Sequence, residues 1–156
     1  AEGSTLSLSL LKCATYPNPA ADKEVHRCTY SVYPHAGSFK QGGTVQAAYL
    51  LNKPLLARPL PAQDGALADC FSLVQADKEN IMIDTVKKAE DSDAVIVRFY
   101  EAYDRRTTVK LDFGFEIKKA YICDLLENNL EEVQVQGNSV SVPVRNFEIV
   151  TLKVEQ

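Results

Sequence analysis

The chain has 156 residues, of which 46% are hydrophobic and 24% charged, with 17 basic against 21 acidic side chains and a net charge of −4. At one domain per roughly 100–200 residues this predicts a single domain, long enough to bury a core without disulfides or metal, and the composition excludes a disordered or low-complexity chain. The basic pairs Lys87-Lys88, Arg105-Arg106 and Lys118-Lys119 stand beside Glu90, Asp104 and Glu116, so no basic face is set aside for nucleic acid. The longest apolar run, Ala47 to Leu51, falls far below the ~18 residues of a membrane span.

The N-terminus opens Ala1-Glu2-Gly3-Ser4-Thr5 without Met and without a basic segment leading into an apolar one. It is read as the start of a domain cut from a longer protein, not as a signal peptide. Period-two alternation then predicts strands over Leu6–Leu11 and Cys28–Tyr33. One helix is predicted over Thr44–Asn52, with Val45, Ala48 and Tyr49 on one face and Thr44 as its N-cap. Further strands are predicted at Cys70–Val74, Ile81–Val86, Val95–Tyr100, Val109–Phe113 and Ala120–Leu126. Two more follow, one from Val140 to Val144 and one at Phe147–Val154. Turn signals stand at Gln63-Asp64-Gly65, Asp91-Ser92-Asp93 and Gly137-Asn138. About nine short strands, one short helix and no βαβ alternation define an all-β fold, an antiparallel two-sheet sandwich.

No constellation of reactive groups is complete. Cys13, Cys28, Cys70 and Cys123 form no C-x-x-C pair, and their wide spacing reads as reduced thiols packed in the core of a cytoplasmic protein. His26 and Cys28, flanked by Cys13 and His35, could be drawn as a zinc site, but the spacing matches no finger or ribbon. Both histidines are read as half-buried and hydrogen-bonded. Glu90, Asp91 and Asp93 are candidates for a glycosidase carboxylate pair, yet they fall in a polar turn. There is no G-x-S-x-G elbow and no phosphate-binding glycine loop. Trp is absent, and most tyrosines fall in strand patterns where core packing is expected.

Several segments together carry a resemblance. Leu6 to Lys12 runs into Thr15-Tyr16-Pro17-Asn18-Pro19-Ala20-Ala21-Asp22. His26 and Tyr30-Ser31-Val32-Tyr33-Pro34-His35-Ala36-Gly37 follow. Then come Val86 to Asp93, Val97 to Ala102 and Phe147-Glu148-Ile149-Val150-Thr151-Leu152. In this order they resemble the C-terminal β-sandwich region of glycoside hydrolase family 38 alpha-mannosidases, most closely the cytosolic and bacterial branch. The resemblance covers nearly the whole chain. Asn18 stands where that branch usually has Asp, Glu24 where Gly is common, and Cys28 where Phe is frequent.

The resemblance implies a single C-terminal domain, residues 1–156, of a larger retaining glycosidase. The upstream catalytic domain would hold the zinc ion, the Asp nucleophile and the acid/base carboxylate, and would hydrolyse alpha-mannosides. No catalytic or metal residue of the family carries over to a position here. The chain is therefore expected to be inactive alone, to need no cofactor itself, and to support the catalytic domain and its mannoside cleft. A face uncovered by the missing domain is expected to favour homo-oligomers. A stand-alone carbohydrate-binding module and a subunit-interaction domain are the rival readings. Tyr16, Asn18 and His35, on a proline-stiffened loop and the turn after Pro34, are the candidate substrate-cleft or domain-contact residues.

Overall fold

From residue 74 onward, segments rich in β-branched and aromatic residues form nine strands. The computed structural model describes residues 3–62, 64, 65 and 68–156, so Gln63 of the first turn signal lies outside the described residues. The strands are β1 (Val74–Ala76), β2 (Ile81–Lys88), β3 (Val95–Glu101), β4 (Thr107–Phe113) and β5 (Lys119–Cys123). They continue with β6 (Asn129–Val133), β7 (Val135–Gln136), β8 (Ser139–Val144) and β9 (Ile149–Glu155). All pairings are antiparallel, in a four-stranded sheet of order β1-β4-β8-β7 and a five-stranded sheet of order β2-β3-β9-β5-β6. The two sheets share one core, built from Val97, Phe99, Leu152 and Val154 on one side and Val109, Leu111, Val140 and Val142 on the other.

The alternation read from the sequence sets the faces. Val109, Leu111 and Phe113 of β4 point inward, while Lys110 and Asp112 stay exposed. Val140, Val142 and Val144 of β8 do the same, and the register pairs Val109 with Val142 and Leu111 with Val140. The β7–β8 hairpin closes through Gly137-Asn138, and the φ of +62° at Gly137 is one that glycine adopts without steric cost. The sequence reading missed β6 and β7. β6 is an edge strand, Asn-Leu-Glu-Glu-Val, with almost no buried face, so its composition carries no strand pattern. Cys70 to Leu73 lie outside β1, and β5 stops at Cys123. There Asp124 accepts hydrogen bonds from the Leu126 and Asn128 amides at 2.9 and 3.0 Å and turns the chain.

The chain divides into two units, Ala1–Thr44 and Val45–Gln156. In the first, neither Leu6–Leu11 nor Cys28–Tyr33 enters a sheet, contrary to expectation. Their pattern is that of a strand, but Leu6, Leu8, Tyr30 and Val32 are all exposed. A strand needs a neighbour for its amides and a cover for its apolar face, and a hairpin alone is marginal in water. The helix α1 spans Thr44–Asn52 as expected. Thr44 does not cap it, for its buried Oγ1 has no partner among the described residues. From Val45 onward the helix belongs to the second unit and lies against the β2 edge. Tyr49 Oη donates to the Asp84 carbonyl at 3.2 Å, and Gln46 Nε2 to that of Glu79 at 3.0 Å.

One charged side chain sits among the inward residues. Glu101 follows Val97 and Phe99 on the buried face of β3 and is 1% exposed. Its Oε1 accepts from Asn80 Nδ2 at 2.9 Å and from the Tyr103 amide at 2.7 Å, and its Oε2 accepts from the Phe147 amide at 3.0 Å. Asn80, Tyr103 and Phe147 belong to the β1–β2, β3–β4 and β8–β9 connections, each of which crosses between the sheets. Burial pushes the Glu101 carboxyl up. The donors from Phe147, Asn80, Tyr103 and Arg105 outweigh it and hold the group below the ordinary value. A depressed pKa means that the folded state binds fewer protons, so this stabilisation is present above the unfolded pKa of about 4.3 and is lost as pH falls through the folded value. Glu101→Gln should destabilise the chain by about 1–3 kcal/mol near neutral pH, because one N–H donor then faces an amide NH2. The gap between the two proteins in urea unfolding should narrow as pH is lowered below 4.

Candidate functional site

The segment 15–22 is a stiffened loop, with φ fixed at Pro17 and Pro19. Asn18 Oδ1 accepts from the Ala20 amide at 3.0 Å, and the Asn18 carbonyl accepts from Ala21 N at 3.1 Å. The amide of Asn18 is thus spent on its own turn. Asp22 takes φ +56°, so the left-handed residue of this segment is an Asp, a type that tolerates that region. The Asp22 carbonyl accepts from His26 Nε2 at 3.0 Å and from Cys13 Sγ at 3.6 Å. Tyr16 is 88% exposed, its ring turned to solvent.

His35 is fixed differently. Its Nδ1 lies 3.3 Å from the Ala36 carbonyl, and its ring is 5.8 Å from that of Tyr33. Tyr33 Oη donates to the Gly42 carbonyl at 3.0 Å. A Cβ at Gly42 would fall 2.4 Å from His35 Nδ1, so only glycine permits this approach. Among the described residues no hydrogen bond or ring contact joins Tyr16 or Asn18 to His35, and the three form no shared cluster. Both histidines are hydrogen-bonded as expected, but they are exposed, not half-buried. Tyr16, Tyr30 and Tyr33 are likewise exposed instead of packed in a core.

The residues do not fit a zinc site. His26 Nε2 and Cys13 Sγ both direct a proton to the same backbone carbonyl, and no three His, Cys, Asp or Glu side chains among the described residues converge. The carboxylates of the β2–β3 turn are tied to lysines. Asp91 Oδ1 lies 3.0 Å from the buried Lys153 Nζ, Asp93 Oδ1 lies 2.6 Å from Lys88 Nζ, and Glu90 pairs with Lys87. Their lysine partners lower the pKa values of Asp91 and Asp93. That is the reverse of the raised pKa a glycosidic general acid needs. Lys87 also pairs with Glu127 at 2.8 Å, and Glu127 Oε2 accepts from the Glu90 amide at 2.9 Å. The β2–β3 and β5–β6 turns thereby meet over the outer face of the five-stranded sheet. This explains why Thr151 and Lys153, which point outward from β9, are buried.

At the Glu101 end a shallow groove is lined by Val45, Tyr100, Ala102, Phe147 and Ile149. Phe147 holds φ +52°, a costly conformation for an aromatic residue, with its amide bound to Glu101 although the residue is 63% exposed. The sequence reading passed over Glu101. The signal was a Glu at the inward parity of Val97 and Phe99, where a charge persists only if its oxygens are satisfied.

The strands define a two-sheet antiparallel β-sandwich. Residues 80–152 match the family described as "Glycosyl hydrolases family 38 C-terminal beta sandwich domain", and this part of the chain belongs to that family. Across 155 residues, 96% of this chain, it is 36% identical to "Alpha-mannosidase 2C1" of Homo sapiens and 34% identical to the Mus musculus protein of that name. It is 31% identical over 157 residues, 97% of this chain, to "Alpha-mannosidase G" of Dictyostelium discoideum. The chain spans about 15% of the length of the human and mouse relatives and 14% of the third. No helix among the described residues is long and apolar enough to cross a membrane.

All four cysteines are free, but only Cys123 is buried as expected of the set. Cys13, Cys28 and Cys70 are exposed. Burial pushes the Cys123 thiol up, with the Lys153 ammonium opposing it. The thiolate is the reactive form, so native protein should modify quickly at three positions and slowly at Cys123. Peptide mapping after a short alkylation pulse should find Cys123 unlabelled until denaturant is added.

Proposed function

We propose that this chain is a non-catalytic C-terminal part of a cytoplasmic alpha-mannosidase, and that it supports an upstream catalytic domain without taking a chemical step. One observation carries the reading. The match to alpha-mannosidases runs through 96–97% of this chain yet through only 14–16% of each relative, so most of each relative lies outside it. One further point supports it: the carboxylates of the β2–β3 turn are paired with lysines. The zinc ion and the nucleophile that the family resemblance implies then belong to the upstream domain. The expected result is that residues 1–156 alone release no aryl leaving group from an aryl alpha-mannoside, with or without added zinc, while the full-length protein does. Turnover by residues 1–156 that survives repurification overturns the reading.

Within this reading Tyr16, Asn18 and His35 stand near the mannoside cleft or against the catalytic domain. Asn18 and His35 already serve their own turns, and Tyr16 has a free ring and hydroxyl, so Tyr16 is the residue of the three most available to a sugar. In the full-length enzyme Tyr16→Ala should raise KM several-fold with kcat nearly intact, the signature of uniform binding. Asn18→Ala and His35→Ala should lower thermal stability with both constants close to wild type. Unchanged KM for Tyr16→Ala would restrict the loop to a structural part.

A further inference from the structure

We infer that Leu6–Leu11 and Cys28–Tyr33 are strands of a sheet completed by chain that precedes residue 1 in the full-length polypeptide. Both segments alternate up to their last residue, Leu11 and Tyr33. Leu6, Leu8 and Leu10 stand against Ser7 and Ser9, and Cys28, Tyr30 and Val32 stand against Thr29 and Ser31. Period-two alternation is written for a strand with one covered face, and no other regular element uses it. Among the described residues neither segment joins a ladder, and the apolar members are laid bare, Leu6 by 83% and Val32 by 81%. A long run of exposed apolar residues with free amides is a docking edge for another strand.

The occupant follows from where the remaining chain lies. The sandwich matched over residues 80–152 is a C-terminal one, and this chain accounts for about 15% of the human and mouse relatives. The greater part of such a polypeptide therefore precedes the two segments and can supply their neighbours without an intermolecular encounter. Hydrogen-bonded turns at 18–21 and 20–23 lie between the two segments along the chain. Three or more strands with a hydrophobic face are needed for independent stability, which two segments alone do not reach. This inference rests on the reading that a longer chain precedes the sandwich, and not on the reaction that chain catalyses.

Amide hydrogen exchange followed by mass spectrometry tests it on two proteins, residues 1–156 and the full-length chain. Amides of β3 and β9, in the sandwich core, should exchange slowly in both. Amides of 6–11 and 28–33 should exchange at nearly the unstructured rate in residues 1–156 and at least about 100-fold more slowly in the full-length chain, as for a strand that opens only with its sheet. Equally fast exchange in the full-length chain overturns the inference, as does protection already present in residues 1–156, which would place the partner inside this chain. A full-length protein that protects these amides but leaves alpha-mannosides intact would sustain this inference while removing the proposed function.

Discussion

The Glu101 carboxylate is the interaction on which the sandwich depends. Three connections cross between the sheets at its end of the molecule, and each sends a donor to one of its two oxygens. Without that acceptor, Asn80 Nδ2 and the Tyr103 and Phe147 amides would lose their partner in a region closed to water, at the cost of unsatisfied buried donors. The carboxylate thus fixes how the β1–β2, β3–β4 and β8–β9 turns enter and leave the sheets. It also holds Phe147 in its left-handed conformation and presents that ring beside Ile149. A buried charge, costly in isolation, has become the joint between two layers because every lone pair that matters is used.

Charge does a second, different task on the outer face of the five-stranded sheet. Lys153 and Glu127 are buried there, against Asp91 and Lys87. The pairs bind two turns over strands that would otherwise show a polar face to solvent. Ile96, flanked by Ala89 and Ala94, packs beneath the same cover. β3 and β9 are therefore buried on both sides, as the central strands of a larger sheet would be. The acidic turn is a structural clasp, and its chemistry is that of ion pairs instead of proton transfer.

The two halves of the chain treat the same sequence signal differently. In residues 74–155 alternation finds partners, and the inward set Val109, Leu111, Val140 and Val142 forms the core. In residues 6–33 an equally clear alternation finds none, and the side chains that should be covered are exposed. The pattern is local, while a ladder is not. The candidate loop residues show the same division. Asn18 and His35 are held by backbone groups within two residues, whereas Tyr16 is exposed.

Local pattern was enough for the all-β class, the bounds of the helix Thr44–Asn52, most of the strands after residue 70 and the inward face of each strong one, because hydrophobic periodicity is a property of neighbouring residues. It also carried the resemblance to family 38, since that rests on ordered motifs such as Lys87-Lys88-Ala89-Glu90-Asp91-Ser92-Asp93. Long-range packing made Glu101 a joint, buried Lys153 and Glu127, set β6 with its two glutamates at a sheet edge, and left Thr44 Oγ1 without a partner among the described residues. Each of these depends on which distant donors, cations or strands arrive at one point. That is set by how the chain closes on itself, and no short window of residues contains it.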